Sequence, residues 1–366
     1  MNLSSLSHQA LRPCRQFLLS LTSFLIMAAS SAMASESIVI LQYHHVSDKT
    51  PKVTSVTPET FRKHMGYLHD NGFNVISLSE AVTALRNKQD IPEKTVTITF
   101  DDAYLNIYEN AFPILKKYNY PFTLFTATVP VDKRYKKFLS WGQINEMANA
   151  GATIANHTLE HGHSVEKLPG ETKQQWLTRF QKDLEATETR IKEKTGQSVK
   201  MFAWTFGETT PELRGLLDDL GYVGFGQQSG AASIYSDFTR LPRFPMAGIY
   251  GVNDFGIKVK SKALPVTVQT PESSIITKEN LKPELKLTLA AGDYQKKQVK
   301  CYATGQGELE VIWLDDEKTQ FKTQAKSPLP AGRSRYNCTA PSNSGKVYYW
   351  YSHAWLRLTD DGKALN

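Results

Sequence analysis

Between Ser37 and about Gly256 the chain alternates short, almost wholly apolar runs with longer amphipathic ones. The apolar runs are Ile38-Val39-Ile40-Leu41, Val96 to Phe100, Phe122 to Val129, Lys200 to Trp204 and Tyr222 to Phe225. Short runs without polar alternation are what strands buried on both faces require. The segments between them carry helical periodicity with readable ends. Thr57-Pro58-Glu59 opens a helix that lines up Phe61, Met65 and Leu68 and stops at Gly72. Glu171 to Thr195 lines up Trp176, Phe180, Leu184 and Ile191 and stops at Gly196. Repeated β-α alternation predicts a parallel sheet or (β/α) barrel.

After Lys262 the texture changes to a Thr/Val/Pro-rich stretch and then to strand-like segments without helical periodicity. Pro265 to Lys282 reads as a linker or first edge strand, and the remainder as all β. The expected division is therefore an α/β domain over 35–262 and a small β-sandwich over 263–366. Cys301, Trp313 and Tyr336-Asn337-Cys338 stand in the order found in immunoglobulin-like sandwiches, although another small sandwich would use the same residues. The barrel, with its own alternating elements, is expected to fold without this module.

Residues 1–34 read as an export signal: Arg12 and Arg15 supply the positive region, Phe17 to Ala29 the apolar core, and Ala32-Met33-Ala34 the cleavage site. The core is too short and too interrupted by Ser and Thr for a stable membrane span once the signal is cleaved. A periplasmic or secreted protein is expected. Loss of Arg12 and Arg15 lowers the formal charge from +7 to +5, too mild an excess to argue for nucleic acid. Cys14 leaves with the signal, so Cys301 and Cys338 remain, and in an oxidising compartment that pair reads as a disulfide, with two free thiols as the alternative.

The chemistry concentrates at two places. Thr97-Ile98-Thr99-Phe100-Asp101-Asp102 puts two carboxylates at the end of a β-branched run. Asn156-His157-Thr158-Leu159-Glu160-His161 puts two imidazoles just after the apolar run Ala152 to Ala155. One carboxylate and two imidazoles suit a catalytic divalent metal with open positions, leaving the other carboxylate as a candidate base. Because neighbouring side chains on a strand point to opposite faces, Asp101 and Asp102 can serve these two roles only where the strand ends or bends. His163 competes with His161 as second imidazole.

Thr99-Phe100-Asp101-Asp102, His157-Thr158-x-x-His161 and Trp204-Thr205-Phe206-Gly207-Glu208 resemble the first three motifs of the NodB-type polysaccharide deacetylases, the family 4 carbohydrate esterases. The likeness covers roughly Ile38 to Pro245. It implies a distorted (β/α) barrel of the polysaccharide deacetylase type, with its site at the strand C-terminal ends, and removal of acetyl groups from a glycan. It makes Asp102, His157 and His161 the metal ligands, with Zn²⁺ the expected ion and Co²⁺ or Ni²⁺ fitting the same set, and Asp101 the general base.

In the family a catalytic His lies in a late motif, but no His occurs here between His163 and His353. Tyr43-His44-His45-Val46 resembles the opening of the subgroup that deacetylates poly-β-1,6-N-acetylglucosamine, which makes His44 the general acid, with His45 as its rival. Phe138-Leu139-Ser140-Trp141, Phe202-Ala203-Trp204 and Leu241-Pro242-Arg243 match the same subgroup. The third motif has Thr205 where Pro is usual and lacks an Arg. By resemblance the Phe206 backbone N–H helps form an oxyanion hole while its ring is chemically idle. Arg243 can pair with Asp101 and hold it ionised. Trp141 and Trp204 could stack on sugars or serve as packing. The expected partner is an N-acetylated glycan, with an envelope or polysaccharide-export partner for the C-terminal domain. The rival readings are deacetylation of peptidoglycan or chitin-type oligomers, and a silent glycan-binding protein.

Overall fold

A computed structural model describes residues 34–250 and 252–365 of the chain, and these belong to one compact unit. The expected export signal, residues 1–34, lies, but for its last residue, outside them. Among the described residues no helix is long and apolar enough to cross a membrane.

The apolar runs form six parallel strands, β1 (Ser37–Tyr43), β2 (Thr95–Phe100), β3 (Thr123–Thr126), β4 (Thr153–Asn156), β5 (Met201–Ala203) and β6 (Val223–Phe225). They lie in one curled sheet in the order β6-β5-β4-β3-β2-β1. The run from Phe122 to Val129 is shorter as a strand than expected, because Thr128 already begins a short helix, Thr128–Asp132. The two edges of the sheet are approached by one segment: Leu241 bridges Phe225 of β6, and Phe244–Pro245 pairs with Leu41 and Gln42 of β1. Arg243 therefore sits on the segment that spans the gap, and it is fully buried.

Helices cover the outside. Helix Pro58–Asp70 starts where Thr57 accepts a hydrogen bond from the Thr60 N–H, and it buries Phe61, Met65 and Leu68 in the same core as Leu41, Ile98 and Phe100. Helix Lys173–Thr195 is opened by a reciprocal Thr172/Gln175 cap and closed by Gly196 at φ 74°. Its Phe180 stacks on Trp204, which is fully buried and donates its indole N–H to the Thr239 carbonyl at 2.7 Å. Trp204 is thus packing and has no face open to a sugar.

The residues after Lys262 form two further sheets around a shared core of Leu285, Leu287, Cys301, Phe321, Tyr336 and Trp355. The stretch read as a linker or first edge strand carries two strands, Val266–Thr270, which is the edge of its sheet, and Ile275–Ile276. The disulfide between Cys301 and Cys338 is formed. Its cysteines face each other on neighbouring strands, Lys300–Ala303 and Gly332–Pro341, so it ties one sheet and not two. Trp313 sits on a different sheet against Phe321. The immunoglobulin-like arrangement, in which the disulfide joins two sheets beneath the Trp, is therefore corrected to two added β-sheets of another pattern.

These sheets are sewn to the curled sheet, which is a half-barrel and not the (β/α) barrel expected. Lys262–Ala263 pairs with the long strand Tyr348–Arg357, whose Trp350 packs edge-on to Phe244 and whose Leu356 joins the cluster around Trp204 and Leu213. A cavity of about 390 Å³ runs along this seam, lined by Arg214, Asp237, Arg240 and Trp350 among others.

Candidate active site

Every candidate residue from the first two motifs lies just past the C-terminal end of a strand. Thr97, Thr99 and Asp101 fall on one face of β2 by the period of two, and the Asp101 N–H still donates to the Tyr43 carbonyl at 2.9 Å as if the strand continued. Asp102 and Ala103 then take left-handed backbone, φ 73° and 57°, and the chain turns away. This turn is how two adjacent carboxylates come to have separate surroundings. Thr158, His161 and Phe206 also have φ between 58° and 67°, which concentrates strained backbone around the site.

Asp101 is wholly buried and held from three directions. Arg243 grips it with two parallel hydrogen bonds, Nη1 to Oδ1 at 2.7 Å and Nη2 to Oδ2 at 2.8 Å, and Gln42 Nε2 donates to Oδ2 at 2.7 Å. Arg243 is itself fixed by donating to the Gly226 carbonyl and to Thr99 Oγ1. Burial alone would raise the Asp101 carboxyl, but the charges of Arg243 and His157 and the Arg243 hydrogen bonds hold it below the usual carboxylate range.

Asp102, His157 and His161 bring ligand atoms within 4.8 Å of one another. Asp102 Oδ1 lies 3.1 Å from His157 Nε2 and 3.0 Å from His161 Nε2. Burial would raise the Asp102 carboxyl as well, but hydrogen bonding to these two imidazoles keeps it well below its ordinary value. His157 Nδ1 is 2.8 Å from the Ala203 carbonyl, an acceptor only, so Nδ1 carries a proton and donates. Burial would lower the His157 imidazole, but the hydrogen bond to Asp102 and the charges of Asp101 and Asp102 raise it, so a proton on Nε2 joins the ring to Oδ1. With Nδ1 fixed on the Ala203 carbonyl, Nε2 points into the cluster, and one carboxylate and two imidazoles this close fit a divalent metal that would take the place of that proton.

His161, not His163, joins the cluster. His163 lies away from it, with Nδ1 2.7 Å from Glu208 Oε2 and its ring stacked on Phe206 at 4.0 Å. His44 Nε2 lies 3.8 Å from Asp101 Oδ2, and its side chain is 17% exposed. His45 stacks on Tyr104 at 3.8 Å and pairs with Asn106, and burial pushes its imidazole down to about 4. The Phe206 ring serves as packing: besides stacking on His163 it meets His161 edge-on at 4.7 Å. The Gly207 that follows, at φ 72°, leaves no room for a side chain, since a Cβ would lie 2.8 Å from that of Gln227. Trp141 is the first residue of helix Trp141–Asn149, which Ser140 caps, and its indole N–H donates to Asp132 Oδ1. Gln42 lies outside the three motifs and Glu208 enters only as the last residue of the third, with no role attached, because the partners of both are far away in sequence.

A curled parallel sheet with acidic and imidazole groups gathered at its strand ends is the frame of a carbohydrate deacetylase. The polysaccharide deacetylase family matches residues 88–225. YxkH of Bacillus subtilis (strain 168), named for that family, is 30% identical over 223 residues, 61% of this chain and 76% of that protein. The chain belongs to the polysaccharide deacetylase family, carbohydrate esterases that act on N-acetyl amide bonds. It is also similar to the poly-beta-1,6-N-acetyl-D-glucosamine N-deacetylase of Escherichia coli (strain K12), 25% identical over 282 residues, 66% of this chain but only 42% of that protein. The fold is shared with the Streptococcus pyogenes deacetylase PplD in complex with acetate, at a TM-score of 0.56 and 23% identity over 61% of this chain and 98% of that one.

Proposed function

We propose that this chain is an exported, metal-dependent N-deacetylase that removes acetyl groups from N-acetylglucosamine units of an exopolysaccharide, poly-β-1,6-N-acetylglucosamine in particular. The observation that carries this reading is a single buried carboxylate, Asp101, kept ionised by Arg243 beside an Asp-His-His cluster, with His44 3.8 Å away. A base, a ligand set and a candidate acid meet at one point.

Asp102, His157 and His161 would hold the ion, Zn²⁺ by the preference of mixed carboxylate and imidazole sets. When bound it supplies Lewis acidity toward the acetyl carbonyl and the attacking water. Asp101 takes the proton of that water as its oxygen bonds to the carbonyl carbon. Arg243 and Gln42 keep the carboxylate from turning away. As the C–N bond breaks, His44 gives a proton to the departing amine, and the Phe206 backbone N–H stabilises the charge on the carbonyl oxygen. His44 suits the acid role better than His45, whose ring burial keeps neutral.

The linkage rests on the sequence likeness at Tyr43-His44-His45 and on the activity named for the Escherichia coli relative. Export to the periplasm or beyond belongs to the same reading, as does a division in which 35–262 carry the chemistry and 263–366 the added sheets, available to an envelope or polysaccharide-export partner. The test is acetate release from β-1,6-linked and β-1,4-linked N-acetylglucosamine oligomers and from peptidoglycan, side by side. We expect release from the β-1,6 oligomers, abolished by chelation and restored by Zn²⁺. Preference for β-1,4 oligomers or peptidoglycan would reassign the substrate, and release from none would leave a glycan-binding protein.

A further inference from the structure

Glu208 is the most deeply buried carboxylate outside the cluster just described, its side chain 1% exposed, and the proposed chemistry gives it no task. Its two oxygens are divided. Oε2 accepts from His163 Nδ1 at 2.7 Å, and Oε1 accepts from Arg333 Nη1 at 2.8 Å. Arg333 comes from the C-terminal sheet, on strand Gly332–Pro341, and its guanidinium also lies 5.1 Å from the centre of the Phe206 ring. Phe206 in turn stacks on His163 and meets the ring of His161 edge-on. The two loops are tied once more where Thr205 Oγ1 donates to the Gly162 carbonyl at 2.6 Å.

The contacts thus run unbroken from Arg333 through Glu208, His163 and Phe206 to His161. Backbone strain makes the chain necessary: His161 at φ 59° and Phe206 at φ 58° are conformations that non-glycine residues hold only when their surroundings over-determine them. His161 is also 27% exposed at its side chain, whereas His157 is wholly buried and fixed by Ala203. The more open imidazole is the one that needs an outside brace.

We infer that Arg333 is a positioning residue for the active site: by anchoring Glu208 and covering Phe206 it holds His161 in the geometry that completes the metal cluster, so the C-terminal sheet is a wall of the site. This deepens the deacetylase reading and rests on it for the identity of the cluster.

The test uses the full chain and two substitutions. Arg333→Ala removes both contacts, while Arg333→Lys keeps a charge for Glu208 but loses the planar guanidinium over the ring. Zn²⁺ or Co²⁺ affinity is read by competition with a chromogenic chelator, and kcat and KM are read on a short soluble N-acetylglucosamine oligomer. Arg333→Ala is expected to weaken metal binding about tenfold, as loss of an outer partner of a metal site does, and to lower kcat with KM little changed. Arg333→Lys should fall between it and the parent, and Glu208→Gln should add little to Arg333→Ala. A protein with lowered melting temperature but parental metal affinity and kcat would reduce Arg333 to a structural tie and overturn the inference. Should Arg333→Ala fail to fold, the lysine variant decides alone: parental metal affinity in it overturns the inference, and weakened affinity supports it. Since metal affinity is read without turnover, a parent that binds metal but deacetylates nothing defeats the proposed function and leaves this inference open to its own measurement.

Discussion

Charge is handled differently inside the curled sheet and along its seam with the C-terminal sheets. Inside, the buried guanidinium of Arg243 meets the buried carboxylate of Asp101 through two hydrogen bonds, and one more from Gln42 leaves little of the carboxylate unsatisfied. At the seam the matching is uneven. Glu208 is shared by Arg333 and His163, Arg335 donates to the Ser229 hydroxyl, and Lys258 reaches the Pro245 carbonyl at 3.4 Å and the face of Tyr250. Strands in one sheet fix their neighbours in register, so a bidentate pair can be built there with full compensation. Side chains that reach across from another sheet meet whatever that surface presents. The sheet interior therefore holds a buried carboxylate in one ionisation state, and in the inference above the seam sets how firmly the loops beside it are held.

The sharpest way to break this contrast is at Asp101. Asp101→Asn should retain the metal, measured by elemental analysis, and lower kcat by about a thousandfold, the range for loss of a positioned base. Metal loss in that variant would make Asp101 structural and dissolve the distinction between base and ligand set. His44→Ala should also keep the metal and cost about a hundredfold, most for poorly departing amines; a near-parental rate would hand the acid role to His45 or to water.

A smaller effect sharpens the electrostatic half of the comparison. Arg243→Lys removes the planar two-point grip, so burial is less opposed and the Asp101 carboxyl rises toward and beyond its ordinary value. In the proposed mechanism the base form is the active form, and it exists above that pKa. The acid limb of kcat/KM against pH should therefore move upward by about one pH unit or more. An unmoved limb would mean that Gln42 and the cluster, not Arg243, keep Asp101 ionised.

Much of the barrel side was legible because its signals are local. The β-branched run into Asp101-Asp102 and the apolar run into His157 each announce a strand and the residue that follows it, and the alternation of side chains forces a turn at Asp102, which its φ of 73° supplies. Arg243 could be named because its partner was already suspected. Glu208 and Arg333 are 125 residues apart, and neither sits in a periodic pattern that points to the other. The same distance hid the seam itself: strand periodicity after Lys262 predicts sheets, but not that Leu356 would enter the cluster of Trp204. The cysteine pairing follows from the expected oxidising compartment, whereas its place within one sheet depends on strand order, which two Cys and one Trp do not encode.

The smallest effect concerns stability at the seam, and its sign follows from Lys258. This side chain is 7% exposed on helix Val252–Lys260, and burial pushes its ammonium from 10.5 down to about 7, with Asp254 opposing the shift and Arg335 adding to it. Between about 7 and 10.5 the unfolded chain holds a proton on this lysine that the folded chain has released. The group therefore makes stability rise with pH across that window, and below pH 7 the folded protein carries the full cost of a buried charge without a fully matched partner. Lys258→Met keeps the stem's volume and deletes the charge. It should raise unfolding stability by about 1–2 kcal/mol at pH 6, the range seen when poorly matched buried charges are replaced by apolar groups. The gain should shrink as the pH approaches 10, where the folded lysine is already neutral. Denaturant titrations of both proteins at the two pH values make the comparison. A variant less stable than the parent by the same amount at both would mean that the Tyr250 face and the Pro245 carbonyl compensate Lys258 as well as Asp101 compensates Arg243, and the contrast between interior and seam would fail at this residue.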